Sequence, residues 1–266
     1  MNEEIIVDDL KINYRLAGQG GQPVIILHGW GSSSNAWINV QDKIAKKSSC
    51  KIVVPDLVGF GASDVPKKGW CMDDYVDWLE KFIFQLSERH PEFKRPIFLA
   101  GHSFGGRISI KVAVRNTIAL KGLILCDAAG LKSDVNLKLS ILSGLAKSSS
   151  KLLDRLHLSQ IKAPFRDFYY HLLRQSDYLK VPRPMRDTFR KVIEEDLSSC
   201  LSDIKQPTLI VWGSEDRIVP IKQAYRFYHE IAHSELKVIP NAGHSPQLEK
   251  SDELVEIMTK FFKKFS

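Results

Sequence analysis

The chain has 266 residues and carries 38 basic against 31 acidic side chains, for a formal charge of +7, with 44% apolar and 26% charged residues. This make-up fits a globular protein of one α/β-type domain with room for an insertion, and it excludes disordered and collagen-like chains. No apolar run approaches the roughly 18 residues of a membrane helix, the longest being short ones such as Val24-Ile25-Ile26-Leu27.

The N-terminus, MNEEIIVDDL, is acidic and lacks a basic segment followed by an apolar core, so no signal peptide is expected and a cytoplasmic address is the default. Residues Ile5–Val7 and Lys11–Arg15, split by Asp8-Asp9, read as an antiparallel hairpin at a sheet edge. Short apolar segments then recur at Pro23–Leu27, Lys51–Val54, Pro96–Ala100, Leu120–Cys126, Thr208–Trp212 and Glu235–Ile239, each the length of a strand buried on both faces. Stretches with helical spacing lie between them. Asp73–Leu86 puts Val76, Leu79, Phe82, Ile83 and Leu86 on one face, and Ile221–Ile231 and Asp252–Phe262 behave alike. Alternating strand and helix predict a mostly parallel sheet covered by helices on both sides.

One region breaks the alternation. From Leu131 to Asp203 there is no convincing strand, but there are leucine-rich helical patterns, the segment Val181-Pro182-Arg183-Pro184, and a helix near Met185–Leu197. A structureless loop of that length is improbable, so 131–203 reads as a helical cap inserted into a core made of 1–130 and 204–266. Its leucines, with Phe165, Phe168, Tyr169 and Tyr170, are candidates to line an acyl channel or to glue the cap to the core. Leu137–Leu158, basic and leucine-rich, also has the make-up of a surface that rests on anionic lipid. Arg107, Arg155 and Arg186 are candidates to greet an acidic substrate, although nothing in the sequence places them at a pocket.

The basic balance is spread as doublets such as Lys46-Lys47 and Lys263-Lys264, without a nucleic-acid-binding pattern, so a solvated surface is expected and no nucleic-acid partner. Cys50, Cys71, Cys126 and Cys200 form neither CxxC nor a metal-ligand spacing, and reduced structural thiols are expected. Gly18–Gly21 (GQGG) is no phosphate loop, since no GK[ST] follows. Neither metal nor organic cofactor is implied.

The chemistry concentrates elsewhere. Gly101-His102-Ser103-Phe104-Gly105 fits G-x-S-x-G, with an apolar strand running into it and Gly105-Gly106-Arg107-Ile108 opening a helix. His28-Gly29-Trp30-Gly31 follows a strand and can aim a backbone N–H at a developing oxyanion. Trp30 is assigned that donor, with the Phe104 N–H as the second, and His28 is expected to hold the turn in shape. His244, in Pro240-Asn241-Ala242-Gly243-His244, is the preferred base, oriented by Asp216 in Gly213-Ser214-Glu215-Asp216. Asp127, at the end of Leu120–Cys126, is the rival acid, because that strand end can reach the same histidine.

With HGWG at 28–31, DLVGFGASD at 56–64, GHSFGG at 101–106, GSEDRIVP at 213–220 and AGHSPQLEKSDEL at 242–254, the chain resembles the α/β-hydrolase fold superfamily over nearly its whole length. The resemblance implies an eight-stranded, mostly parallel sheet with a cap inserted after Cys126, and the triad order Ser103, Asp216, His244. It also implies that Asp56 satisfies loop N–H groups, with Gly59 and Gly61 giving the turn its backbone freedom. Serine at the elbow sets aside the dehalogenase and epoxide-hydrolase branches, which place a carboxylate there. Esterases, lipases, thioesterases, amidases and carbon–carbon bond hydrolases remain, and a small-molecule carboxylic ester is the expected substrate. A non-catalytic ligand-binding member of the fold is the rival from another class. Oligomeric state is left at monomer or homodimer.

Overall fold

The computed structural model describes residues 2–131 and 182–265. The chain divides into two compact units, one made of Met1–Gly130 and Arg183–Ser266, the other of Leu131–Pro182. Most of the expected cap, including the aromatics and most of the leucines named for an acyl channel, Arg155, and the Leu137–Leu158 stretch, lies outside the described residues, while Leu131, Leu197 and Leu201 are buried.

Eight strands make one sheet: β1 (Asn2–Val7), β2 (Leu10–Ala17), β3 (Gln22–Leu27), β4 (Cys50–Pro55), β5 (Ile97–His102), β6 (Leu120–Cys126), β7 (Thr208–Gly213) and β8 (Ser234–Ile239). Their order across the sheet is β1-β2-β4-β3-β5-β6-β7-β8. The hairpin β1–β2 and the β2–β4 pair are antiparallel, and all other neighbours run parallel. The sheet is the mostly parallel one that the alternation predicts. The helices expected within the described residues are also present, as α2 (Met72–Arg89), α3 (Phe104–Arg115), α4 (Arg183–Glu194), α5 (Lys222–Glu230) and α7 (Ser251–Lys264), and Asp56–Asp64 follows β4 as the turn that the resemblance implies.

Helix α1 (Ile38–Lys47) and the short α6 (Pro246–Glu249) were not legible in the sequence. Trp37 precedes α1 without a side-chain cap, so the usual start signal is missing. The helix forms because Val40 and Ile44 bury against the sheet. Another difference concerns β8. Lys237 and Val238 are exposed and Glu235 half-buried, since β8 is the outer strand and lacks a partner on one side, whereas the sequence reads it as buried on both faces. Helix α4 and the following 3-10 turn (Ser198–Asp203) belong to the compact unit of the core.

The period-two alternation of the strands splits the core into two layers. Ile25, Leu27, Val53 and Leu99 face α2 and α3, meeting Val76, Leu79, Phe82, Ile108 and Val112. Val24, Ile26, Ile52, Val54, Phe98 and Ala100 face the other way, onto α1 and α7 through Val40, Ile44, Leu254, Met258 and Phe262. A run such as Val24–Leu27 is therefore apolar throughout, and each of its four residues is fully buried.

The strand order reverses at β3, which has β4 on one side and β5 on the other. Open α/β sheets bind ligands at such a switch point, in the crevice beyond the carboxyl ends of the strands. The turn after β4 closes one wall of that crevice. Asp56 accepts hydrogen bonds from the Ser34 N–H at 2.6 Å, the Ala62 N–H at 2.8 Å and the Asn13 side-chain amide at 2.9 Å. Burial alone would raise the Asp56 pKa, but these donors overcome it and hold the carboxyl below its ordinary value.

Asp56→Ala leaves two buried donors and the half-buried Ala62 N–H without their acceptor and should cost about 2–4 kcal/mol in urea unfolding at neutral pH. The contribution of Asp56 is present above the unfolded carboxylate value of about 3.9, and is lost as pH falls through the lower folded value. The stability gap between wild type and Asp56→Ala should accordingly shrink on acidification below pH 4.

Candidate active site

Ser103 links β5 to α3 with φ 51° and ψ −109°, outside the favoured regions for an L-residue. Such strain persists only where the surroundings enforce it. Here the Ser103 N–H donates to the Cys126 carbonyl at 3.2 Å, the Ala129 N–H donates to the Ser103 carbonyl at 3.0 Å, and the Gly105 N–H donates to the His28 carbonyl at 3.1 Å. The approach is too tight for side chains at the flanking positions. A Cβ at Gly101 would lie 2.3 Å from the Gly105 carbonyl oxygen, and one at Gly105 would lie 2.3 Å from that of Leu27.

His244 reaches the elbow from the loop after β8. Its Nε2 lies 3.0 Å from Ser103 Oγ and its Nδ1 lies 2.7 Å from Asp216 Oδ2. The loop after β7 is bound to that after β8, the Glu215 N–H donating to the Ala242 carbonyl at 2.8 Å and the Ser214 N–H to the Ile239 carbonyl at 3.0 Å. Asp216 Oδ1 accepts from the N–H groups of Ile218 and Val219 at 2.7 and 2.9 Å. Burial opposes ionisation of Asp216, but the hydrogen bond from His244, its charge, and the two N–H groups together hold the carboxyl below its ordinary value. Glu215, its neighbour, is exposed and turned away. The three residues singled out by the sequence thus form one hydrogen-bonded chain.

Three further histidines have settled roles or positions. His28 accepts from the Leu57 N–H at Nε2 (3.0 Å), which leaves Nδ1 to donate to the Gly29 carbonyl at 2.8 Å. Complete burial drives its pKa down to about 4, against the pull of the Gly29 carbonyl and of Asp56, so it stays neutral and fixes the turn. His102 donates from Nε2 to the His244 carbonyl at 2.7 Å, and burial, with the nearby His244, lowers its pKa to about 3. It is a clamp on the His244 loop. His229 is exposed on α5.

Of the expected oxyanion donors, Phe104 directly follows the nucleophile and Trp30 lies in the turn after β3 that packs against it. A Cβ on Gly29 would come within 3.3 Å of Ser103 Cβ, which sets Trp30 one residue from that contact. The Phe104 N–H is the first of α3, so that helix provides no acceptor for it. The Trp30 ring packs edge-on against Phe104 at 5.2 Å, Phe60 at 4.8 Å and Phe189 at 5.0 Å, forming an aromatic wall. Arg107 faces away from this space. It donates to the Glu195 carbonyl at 2.9 Å, and burial lowers its pKa to about 10.

Glu249 was missed by the sequence reading. Its carboxylate accepts from the Gly243 and Ser245 N–H groups at 2.6 and 3.1 Å, bracketing His244. The available signal was an acidic residue in the first turn of the short helix α6 that follows His244. Among the described residues, one oxygen each of Asp127 and Asp216 and a nitrogen of His244 lie within 4.8 Å of one another. These groups are already engaged in the hydrogen bonds above and in one from the Gly213 N–H to Asp127 Oδ1 at 2.9 Å.

Known proteins resemble this chain in sequence and in fold. The sequence model of the family described as serine aminopeptidase, S33, matches residues 21–251, and the chain belongs to that family of α/β hydrolases. A 2-hydroxymuconate semialdehyde hydrolase from Pseudomonas sp. (strain CF600) is 26% identical over 276 residues, covering 98% of this chain and 93% of its own. A thermophilic esterase from Thermogutta terrifontis superposes with a TM-score of 0.72 at 22% identity, covering 100% and 99% of the two chains. A bacterial membrane phospholipase A does so with a TM-score of 0.74 at 22% identity, covering 100% and 86%. The two structural likenesses speak to the fold. Among the described residues, no helix is long and apolar enough to cross a membrane.

His102→Ala should free the His244 carbonyl and leave it buried without its donor. A loss of about 1–3 kcal/mol in urea unfolding is expected, and the low-field proton resonance of the His244 Nδ1–H···Asp216 hydrogen bond should broaden.

Proposed function

We propose that this hydrolase cleaves carboxylic esters of small or medium acyl substrates through an acyl-enzyme. Ser103 Oγ attacks the ester carbonyl as His244 Nε2 takes its proton, and Asp216 holds the Nδ1–H and balances the imidazolium. The backbone N–H groups of Trp30 and Phe104 receive the negative charge on the carbonyl oxygen, beside the positive end of α3. The alcohol leaves with the proton from His244. Water, activated by the same nitrogen, then releases the acid and restores Ser103. None of these steps calls for a metal or an organic cofactor.

The observation that carries the reading is the chain Ser103 Oγ–His244–Asp216, with distances of 3.0 and 2.7 Å and the serine held in a strained turn. We further assign the inserted cap, expected over 131–203 and set apart as the unit Leu131–Pro182, the role of setting acyl length, and propose a cytoplasmic monomer or homodimer acting on a soluble ester.

A second reading has its own support. The relative from Pseudomonas sp. named as a 2-hydroxymuconate semialdehyde hydrolase matches 98% of this chain. A substrate with a carbon–carbon bond between a dienol and a ketone would then replace the ester, on the same serine.

Hydrolysis of p-nitrophenyl esters with acyl chains of two to sixteen carbons, beside a vinylogous 1,5-diketone, separates the two. The ester reading expects turnover with an optimum in the short-to-medium range and none of the diketone. Ser103→Ala and His244→Ala should each lower kcat/KM by ~10³ or more. Ser103→Ala should also abolish labelling by a fluorophosphonate probe that marks wild type. A folded wild type that takes no probe would overturn both readings in favour of a ligand-binding protein.

A further inference from the structure

The rival acid, Asp127, is not idle. It is fully buried at the carboxyl end of β6, one strand over from Asp216, and adopts φ 43°. Its N–H donates to the Val211 carbonyl of β7 at 3.0 Å, and its Oδ1 accepts from the Gly213 N–H at 2.9 Å. Gly213 opens the turn that carries Asp216. Two residues further along from Asp127, the Ala129 N–H holds the Ser103 carbonyl. One residue therefore ties the elbow strand's neighbour to the loop of the acid.

We propose that Asp127 is a positioning residue for the site, its carboxyl bridging the Gly213 N–H and Asp216 so that Asp216 stays fixed beneath His244. The inference rests on the serine-hydrolase reading above. Two buried carboxyls this close do not both ionise, so the proton resides on the one with fewer donors. Asp216 has three, from His244, Ile218 and Val219, while Asp127 has the Gly213 N–H and a weak contact from the Cys126 thiol at 3.6 Å. Burial pushes the Asp127 pKa up to about 9 against the Gly213 bond, and Asp216, with a carboxylate oxygen within 4.8 Å, adds to the rise. Of the other titratable groups around it, His244 lies within 4.8 Å and is bound to Asp216, and the rest stay uncharged or are bound elsewhere. The Cys126 thiol on β6 is raised well above its ordinary value by burial, His102 on β5 is neutral, and Arg107 on α3 is bound to the Glu195 carbonyl.

Asparagine keeps both contacts, because its amide donates and its carbonyl accepts, whereas alanine loses both. With the full chain and a p-nitrophenyl ester at pH 7, Asp127→Asn should stay within ~3-fold of wild-type kcat, and Asp127→Ala should lose ~10–100-fold in kcat with little change in KM. Equal damage from both variants, or wild-type kcat in Asp127→Ala, overturns the proposal.

Thermal unfolding adds an arm that needs no substrate and no alanine variant. A carboxyl whose folded pKa is raised favours the folded state below pH ~4 and loses that advantage as pH rises toward 9. The Tm of Asp127→Asn should therefore climb relative to wild type between those limits. A flat difference, with normal ester turnover, sinks the bridge and spares the esterase reading. A rising difference in a wild type that hydrolyses no ester and takes no fluorophosphonate does the reverse.

Discussion

The strained turn at Ser103 is the constraint on which the rest of the site depends. A serine forced to φ 51° needs three neighbours to hold it, and they come from β3, β6 and α3. The demand for close approach explains why glycine flanks the serine at Gly101 and Gly105, where any Cβ would run into backbone. The strand that carries the turn, β5, lies next to β3, where the strand order reverses. The turn exposes the hydroxyl at the switch-point crevice and aims the start of α3 at the same place.

Around that turn the protein distributes protons by burial and donor count. His28 and His102 are buried neutral, each pinned by one donated and, for His28, one accepted backbone hydrogen bond. His244 alone among the buried-site histidines meets a carboxylate. Two acids compete for the low-dielectric space beneath it, and Asp216 is the one held ionised, by the hydrogen bond and charge of His244 together with the backbone N–H groups of Ile218 and Val219. Charge is thus confined to one carboxylate, in line with the serine and the imidazole. Asp56 shows the same economy on the far wall, an ionised carboxyl surrounded by three donors and used to shape a loop.

Much of the fold could be read from single residues because burial on both faces leaves a strong signature. Val24–Leu27 and Leu123–Cys126 are continuous apolar runs, and a parallel sheet between two helical layers is what such runs imply. The signal fades where a segment is buried on one side only or gains its stability elsewhere. Helix α1 has no cap to announce it and depends on Val40 and Ile44 meeting the sheet. Strand β8 reads like its neighbours in sequence, yet its place at the sheet edge exposes Lys237 and Val238.

The candidate site divides in the same manner. The sequence by itself determined the elbow, the loop histidine and the turn that carries Asp216, because each needs particular small or polar residues at a strand end. It also picked out His28 as a structural residue rather than a base. Only the tertiary structure decided between Asp127 and Asp216. Both follow apolar strands, and although Asp216 meets the N–H groups of Ile218 and Val219 within its own turn, its bond to His244, 28 positions away, exists only because the loops after β7 and β8 fold onto each other. Asp127 in turn meets the Gly213 N–H, 86 positions away, only once β6 and β7 pair.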